Sequence, residues 1–192
     1  MNVCAKLTPH SPMSHSTAST QSTIVVIGKE NTGKSQLIAS LTHRTPYSSN
    51  FRGSTVTCEY YMGHGMMFID TPGILYQNDT KTTRSALEQL QKGDRILLVV
   101  KATHADEDLA DLLPLVDGKQ GIVVMTFWDK VLPSEFTQQV IRRWQQAANL
   151  PLMTVDARNL SAMQRQEIQT AIEQPTVFST QLQPMTLGWR IE

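Results

Sequence analysis

Residues 28–35 read Gly-Lys-Glu-Asn-Thr-Gly-Lys-Ser, the glycine, lysine and hydroxyl spacing of a phosphate-binding loop. Gly28 and Gly33 let the backbone turn so that N–H groups point inward at phosphate oxygens, helped by the positive end of the helix that follows. Lys29, Glu30, Asn31 and Thr32 fill the variable positions, and their peptides complete the cradle. Lys34 can reach the outer phosphates, and the Ser35 hydroxyl suits a magnesium ligand position. The bland alternative is a chance Gly-rich turn before an amphipathic helix. The flanks argue against it, because an apolar β-type run (24–27) precedes the loop and Leu37, Ile38 and Leu41 follow at helical spacing.

A second group of residues has the types to complete this chemistry. Asp70 ends an apolar run and precedes Thr71-Pro72-Gly73, which sets a carboxylate beside the phosphate loop to hold magnesium through water and turns the Gly73 N–H toward a γ-phosphate. Asp, Pro and Gly also favour ordinary turns, but downstream of a phosphate loop the four together read as a switch of the GTP-hydrolase type. Thr55 lies between the first helix and the next strands, where a loop can bring its hydroxyl to magnesium when a γ-phosphate is present. Thr57 is its rival, disfavoured because it already falls in an alternating strand run.

Positioning these groups requires alternating strands and helices. A hairpin is expected over 56–69 with its turn at Gly63-His64-Gly65, followed by a helix with Ala86, Leu87 and Leu90 inward and Gly93 ending it. Strands at 96–100, 122–126 and 152–155 alternate with three helices: an acidic one over 106–113, one presenting Phe136, Val140, Ile141 and Trp144, and one opened by a Ser161/Gln164 capping box that buries Ile168, Ala171 and Ile172. This order implies a three-layer α/β sandwich around a mostly parallel six-stranded sheet with one antiparallel strand. Ligands then lie at the C-terminal strand ends, where each motif falls. Residues 1–22 read as a flexible tail, 23–174 as the nucleotide-binding domain, and 175–192 as a C-terminal tail or linker, or a strap whose Phe178, Leu182, Met185, Leu187 and Trp189 dock on the domain or on a partner.

The 192 residues suffice for one such domain and are too few for two ordinary ones. Lys+Arg 17 against Asp+Glu 17 gives no net charge, which points to neither a nucleic-acid surface nor a polybasic membrane patch. Cys4 and Cys58 have no metal-ligand spacing and read as reduced cytoplasmic thiols. The histidines are scattered and read as surface or turn residues. No apolar stretch reaches the ~20 residues of a membrane span, and the N-terminus lacks a signal-peptide pattern.

Together GKENTGKS, NFRGSTVT, DTPGILY, VVKATHADEDL and VMTFWDKV resemble the cytosolic G domain of the bacterial ferrous-iron transport protein FeoB, over residues 23–174. The resemblance implies a P-loop GTPase with GTP and GDP as substrate and product, magnesium and potassium as cofactors, and switch loops at 42–57 and 71–83. It makes Asn31 a potassium ligand against the phosphates, a charge-neutralising role like that of an arginine finger. The family selects guanine with Asn-Met-x-Asp; the matching residues here are Thr126, Phe127, Trp128 and Asp129, so the carboxylate is kept and the asparagine is not. Phe127 can cover the base as the methionine would, with core packing as the rival reading for Phe127 and Trp128. Asp156, Ala157 and Arg158 match the loop whose backbone touches the base. Ile74 stands where many small GTPases carry a water-positioning glutamine, so turnover is expected to be slow and to rest on Asn31, Lys34, Thr55 and Gly73. The implied setting is cytoplasmic, peripheral at the inner membrane, with a membrane iron transporter or another protein as partner. A regulatory nucleotide-binding module with little catalysis is the competing reading, and an ATP-using enzyme a third.

Overall fold

The computed structural model describes residues 22–44, 57–74, 81–132, 134–148 and 151–179. Thr55, most of the expected 42–57 switch, residues 75–80 of the second switch, and most of both tails lie outside them. The main sheet has the order β2-β3-β1-β4-β5-β6, formed by β1 (Thr23–Ile27), β2 (Glu59–Gly63), β3 (Met66–Asp70), β4 (Arg95–Lys101), β5 (Gln120–Thr126) and β6 (Leu152–Thr154). All neighbours run parallel except β2 and β3, as the expected mixed sheet requires.

The central strands β1, β4 and β5 read as continuous apolar runs because both faces are covered. On one face Ile24, Val26, Leu97, Val99, Ile122 and Val124 meet α1 (Lys34–Thr42) and α5 (Ala162–Glu173) through Leu37, Ile38, Leu41, Ile168 and Ile172. On the other, Val25, Ile27, Leu98, Val100 and Val123 meet α2 (Lys81–Lys92) and α3 (Ala105–Val116) through Ala86, Leu90, Leu109 and Leu112. Ile141 and Trp144 of α4 (Glu135–Ala148) pack against that second core; the side chains of Phe136 and Val140 fall outside the described set.

Local chemistry explains the element ends. His64 and Gly65 both adopt positive φ (50° and 73°), the pairing a two-residue hairpin turn needs to match strand twist. The Ser161/Gln164 capping box forms as read from sequence. Gly93 follows α2, but its reason is space: a Cβ there would lie 2.2 Å from Val25 Cγ2. Thr42, placed in the switch loop by sequence, instead ends α1, where its hydroxyl donates to the Ile38 carbonyl (2.8 Å).

Part of the segment expected as a C-terminal tail belongs to the sheet. A short β7 (Thr176–Val177) pairs antiparallel with Gln120 and Gly121, where β6 has not yet begun to pair. Phe178 behind it is fully buried, in space that Gly121 leaves open: a Cβ on Gly121 would stand 2.5 Å from the ring. A lone aromatic in an aperiodic stretch gives no sequence signal of that depth.

Candidate functional site

The phosphate loop leaves β1 at Gly28 and enters α1 at Lys34, and its shape is enforced on three sides. Beneath it, a Cβ on Gly28 would fall 2.2 Å from the Val99 carbonyl oxygen, so only glycine lets the loop lie on β4. Within it, Asn31 (φ 57°) and Gly33 (φ 83°) turn left-handed, a geometry that asparagine tolerates and glycine adopts freely. The Thr32 hydroxyl donates to the Lys29 carbonyl (3.0 Å) and stiffens the turn. Asn31 and Glu30 are exposed on the rim.

The Asp70–Gly73 segment clips onto the loop from the side. The Ile74 N–H donates to the Gly28 carbonyl (3.0 Å), and Lys29 and Ile74 form a parallel bridge. The Thr71 hydroxyl donates to the Val26 carbonyl (2.8 Å). Gly73 packs directly on Glu30, with room for no Cβ: one would sit 2.5 Å from Glu30 Cγ and 2.7 Å from its backbone nitrogen. Ile74, at the position of the water-orienting glutamine, sends its side chain into the core and is 2% exposed.

Charges converge where this clip closes. Ser35 Oγ donates to Asp70 Oδ2 (2.5 Å), and Asp70 is fully buried. Lys34 Nζ donates to the carbonyls of Lys29 (2.8 Å) and Gly28 (3.3 Å). Burial lowers the Lys34 pKa to about 8, against the opposing pull of Asp70, Glu30 and Asp108. An ammonium ion held this way is short of counter-charge, which phosphate oxygens supply. The adjacent hydroxyl and carboxylate are hard oxygen donors of the kind magnesium takes alongside water and phosphate, so the residues fit that ion.

Sequence reasoning missed a latch on the loop's outer side. Lys29 Nζ lies 2.7 Å from Asp111 and 3.2 Å from Asp108, with Glu107 at 3.5 Å, all three on α3. Burial depresses the Lys29 pKa, yet hydrogen bonds to Asp111 and Asp108 outweigh it and leave the group raised. Asp108 also accepts from the Lys101 N–H (3.1 Å), so one buried carboxylate joins loop, helix and β4. In sequence Glu107 and Asp108 look like ordinary first-turn residues favoured by the helix dipole, and Asp111 like a solvated helix residue.

The end of β5 holds the other half of the site. Thr126 is fully buried, and its hydroxyl donates to the carbonyls of Thr32 (2.6 Å) and Val100 (3.2 Å), tying β5 to the phosphate loop. Phe127 takes φ 57°, which is strained for a bulky residue, and places its ring beside Gly33 with Lys101 Nζ 5.3 Å from the ring centroid. Trp128 is half-buried and outside both core clusters. Asp129 is exposed and pairs with Lys130 at 2.9 Å. The following loop is tied in the same manner: Asp156 accepts from the Arg158 N–H (3.0 Å), and the carbonyl of buried Ala157 accepts from Ser40 of α1 (2.6 Å). Arg158 is exposed.

The sequence profile described as 50S ribosome-binding GTPase matches residues 23–127, the span from β1 through the phosphate loop to Phe127. The chain belongs to that GTPase family. Among curated proteins it is similar to the Fe(2+) transporter FeoB of Helicobacter pylori (strain ATCC 700392 / 26695), 34% identical over 116 residues, covering 56% of this chain and 18% of the relative. The FeoB of Leptospira interrogans serovar copenhageni is 29% identical over 134 residues, covering 66% of this chain and 19% of that one. The chain thus spans about a fifth of the length of the FeoB relatives it matches. A crystal structure of NFeoB from S. thermophilus bound to GDP.AlF4- and K+ superposes with a TM-score of 0.67 at 20% identity, covering 81% of this chain and 62% of that one. That likeness bears out the P-loop GTPase fold. No helix among the described residues is long and apolar enough to cross a membrane.

Proposed function

We propose that this GTPase-family chain hydrolyses GTP to GDP as a magnesium-dependent, potassium-accelerated switch, and that the switch serves ferrous-iron uptake at a membrane transporter. The meeting of Lys34, Ser35, Asp70 and Gly73 on one phosphate loop carries the reading. Lys34 takes the outer phosphates, regaining in them the counter-charge that its burial denies it. Ser35 and Asp70 hold the magnesium ion, Asp70 through water, and the ion when bound neutralises charge on the phosphates. Thr55, outside the described residues, supplies a second hydroxyl on the magnesium side. The Gly73 N–H faces the γ-phosphate, a reading supported by the close packing of Gly73 on Glu30. Exposed Asn31, on a left-handed turn at the rim, offers its amide oxygen to potassium.

For the base, Asp129 accepts the two guanine N–H groups, the Phe127 ring covers one face, and the loop 156–158 contributes backbone at Ala157. Thr126 does not replace the lost asparagine amide; it keeps a tether to the phosphate loop, through Thr32. The buried side chain of Ile74 favours a second reading, a regulatory nucleotide-binding module with little catalysis, because no polar group from that position orients water.

Turnover of GTP and ATP, measured in potassium and in sodium for the unsubstituted chain and for Asn31→Ala, tests these readings. The expected result is GTP-selective turnover, faster in potassium, with the potassium response lost in Asn31→Ala. Equal rates in the two salts remove the potassium role, and tight GTP binding without turnover replaces the hydrolase by the regulatory module. Equal use of ATP removes the Asp129 assignment. Capture of the same membrane proteins in equal amounts with GDP and with a non-hydrolysable GTP analogue would end the switch reading, since a partner shifts an equilibrium only by its differential affinity.

A further inference from the structure

Both elements that carry the magnesium-side residues have a histidine at their far end. The helix α1 starts at Lys34 and Ser35 and is capped by His43; β3 ends at Asp70 and is preceded by the hairpin turn at His64. The two imidazoles lie side by side, with ring centroids 6.2 Å apart and planes inclined by 55°. Neither the spacing nor the setting is left to chance by the backbone. His43 (φ 54°) is held in a helix C-cap by its N–H to the Ala39 carbonyl, with the Arg44 N–H on the same oxygen (3.0 Å). His64 (φ 50°) occupies the first position of the two-residue turn. The hairpin lies hard against the helix end, because a Cβ on Gly63 would meet Thr42 Cγ2 at 2.7 Å. Both histidines are exposed, and both sit on left-handed backbone, which histidine adopts more readily than most non-glycine residues. Among the described residues neither ring has a hydrogen-bond partner.

We propose that His43 and His64 form a binding site for a divalent first-row transition ion, which clamps the C-terminal end of α1 to the β2–β3 hairpin. An imidazole nitrogen binds such an ion at about 2.0–2.1 Å, placing the ring centroid about 3.2 Å from it, so two rings on one ion stand about 5–6.4 Å apart. The observed separation of 6.2 Å falls in that range. Two neutral nitrogen donors select nickel, copper, cobalt or zinc over magnesium, which takes hard oxygen ligands. The described residues hold no cluster of three or more His, Cys, Asp or Glu, so water fills the remaining positions. Eight residue steps along α1 separate His43 from Ser35, about 12 Å at helical rise, so the ion is distinct from the one that accompanies nucleotide.

The test is a calorimetric titration of the whole chain with nickel(II), beside His43→Asn and His64→Asn. Asparagine accepts the left-handed backbone at both positions and is a poor ligand for this ion, so the folds are preserved. One nickel per chain, weakened at least about tenfold by each substitution, with a nickel-induced rise in melting temperature in the unsubstituted chain only, is the expected result. Absence of binding, or a smaller loss in either variant, overturns the site and assigns any residual nickel to the other histidines or cysteines. Magnesium–GDP affinity, expected unchanged in both variants, serves as the control for folding.

Discussion

The two ends of the nucleotide site are built on different principles. Around the phosphate loop many contacts are steric or run through carbonyls and amides of the main chain: Gly28 on the Val99 carbonyl, Gly73 on Glu30, the Thr71 hydroxyl on the Val26 carbonyl, the Ile74 N–H on the Gly28 carbonyl. At the end of β5 the group proposed to read the base is one exposed carboxylate, Asp129, beside a strained Phe127, and the buried Thr126 ties the two ends together. A phosphate has the same shape in every nucleotide, so a backbone cradle suits it and tolerates little change. A base is recognised by side-chain donors and acceptors, and these can be exchanged while the tether survives.

Four experiments would break or sharpen that contrast. Lys34→Ala should weaken GDP and GTP binding by more than about a hundredfold, ~2.7 kcal/mol, with no loss of melting temperature, since the change also removes a buried charge. Retained affinity in the folded variant would show that the cradle is not the phosphate site. Gly73→Ala should weaken a GTP analogue at least about tenfold while leaving GDP affinity within a few-fold, because the added methyl must displace the segment from Glu30. Equal losses for the two nucleotides would detach Gly73 from the γ-phosphate.

The third experiment uses pH. Phosphate requires charged Lys34, and its pKa in the free chain is about 8, so GDP affinity should fall above pH 8 by up to about tenfold per unit. The free protein should respond in the opposite sense. The folded pKa lies below the ordinary 10.5, so between about 8 and 10.5 the unfolded chain binds more protons and this group makes stability rise with pH. Flat affinity from pH 8 to 9.5 would mean that Lys34 stays charged throughout. The smallest effect is expected at Thr126→Val, which keeps the shape and removes the two hydroxyl bonds. Stability should fall by about 1–3 kcal/mol in thermal melts, with the preference for guanine over adenine unchanged. A lost preference would give Thr126 a direct part in reading the base.

What was legible in sequence follows from locality. The loop, the hairpin turn at His64-Gly65 and the Ser161/Gln164 box are each specified by residues within a few positions of one another, and apolar periodicity separates strands from helices. Lys29 with Asp108 and Asp111, about 80 residues away, has no such signature, because nothing in the order of residues says which carboxylates a fold will bring to a lysine. The same holds for Phe178, whose burial depends on Gly121 leaving space for it, and for Ile74, where sequence shows the loss of a polar group but not that the side chain turns into the core.

By itself, then, the sequence determined the phosphate-loop motif and the layered α/β order, because both are written in short-range spacing and in the period of apolar residues. Only the tertiary structure decided that Thr126 ties β5 to Thr32, that the α3 carboxylates hold the loop lysine, and that His43 meets His64. Each of these joins elements far apart in the chain, and such pairs are chosen by how the sheet and helices pack rather than by which residues are neighbours in sequence.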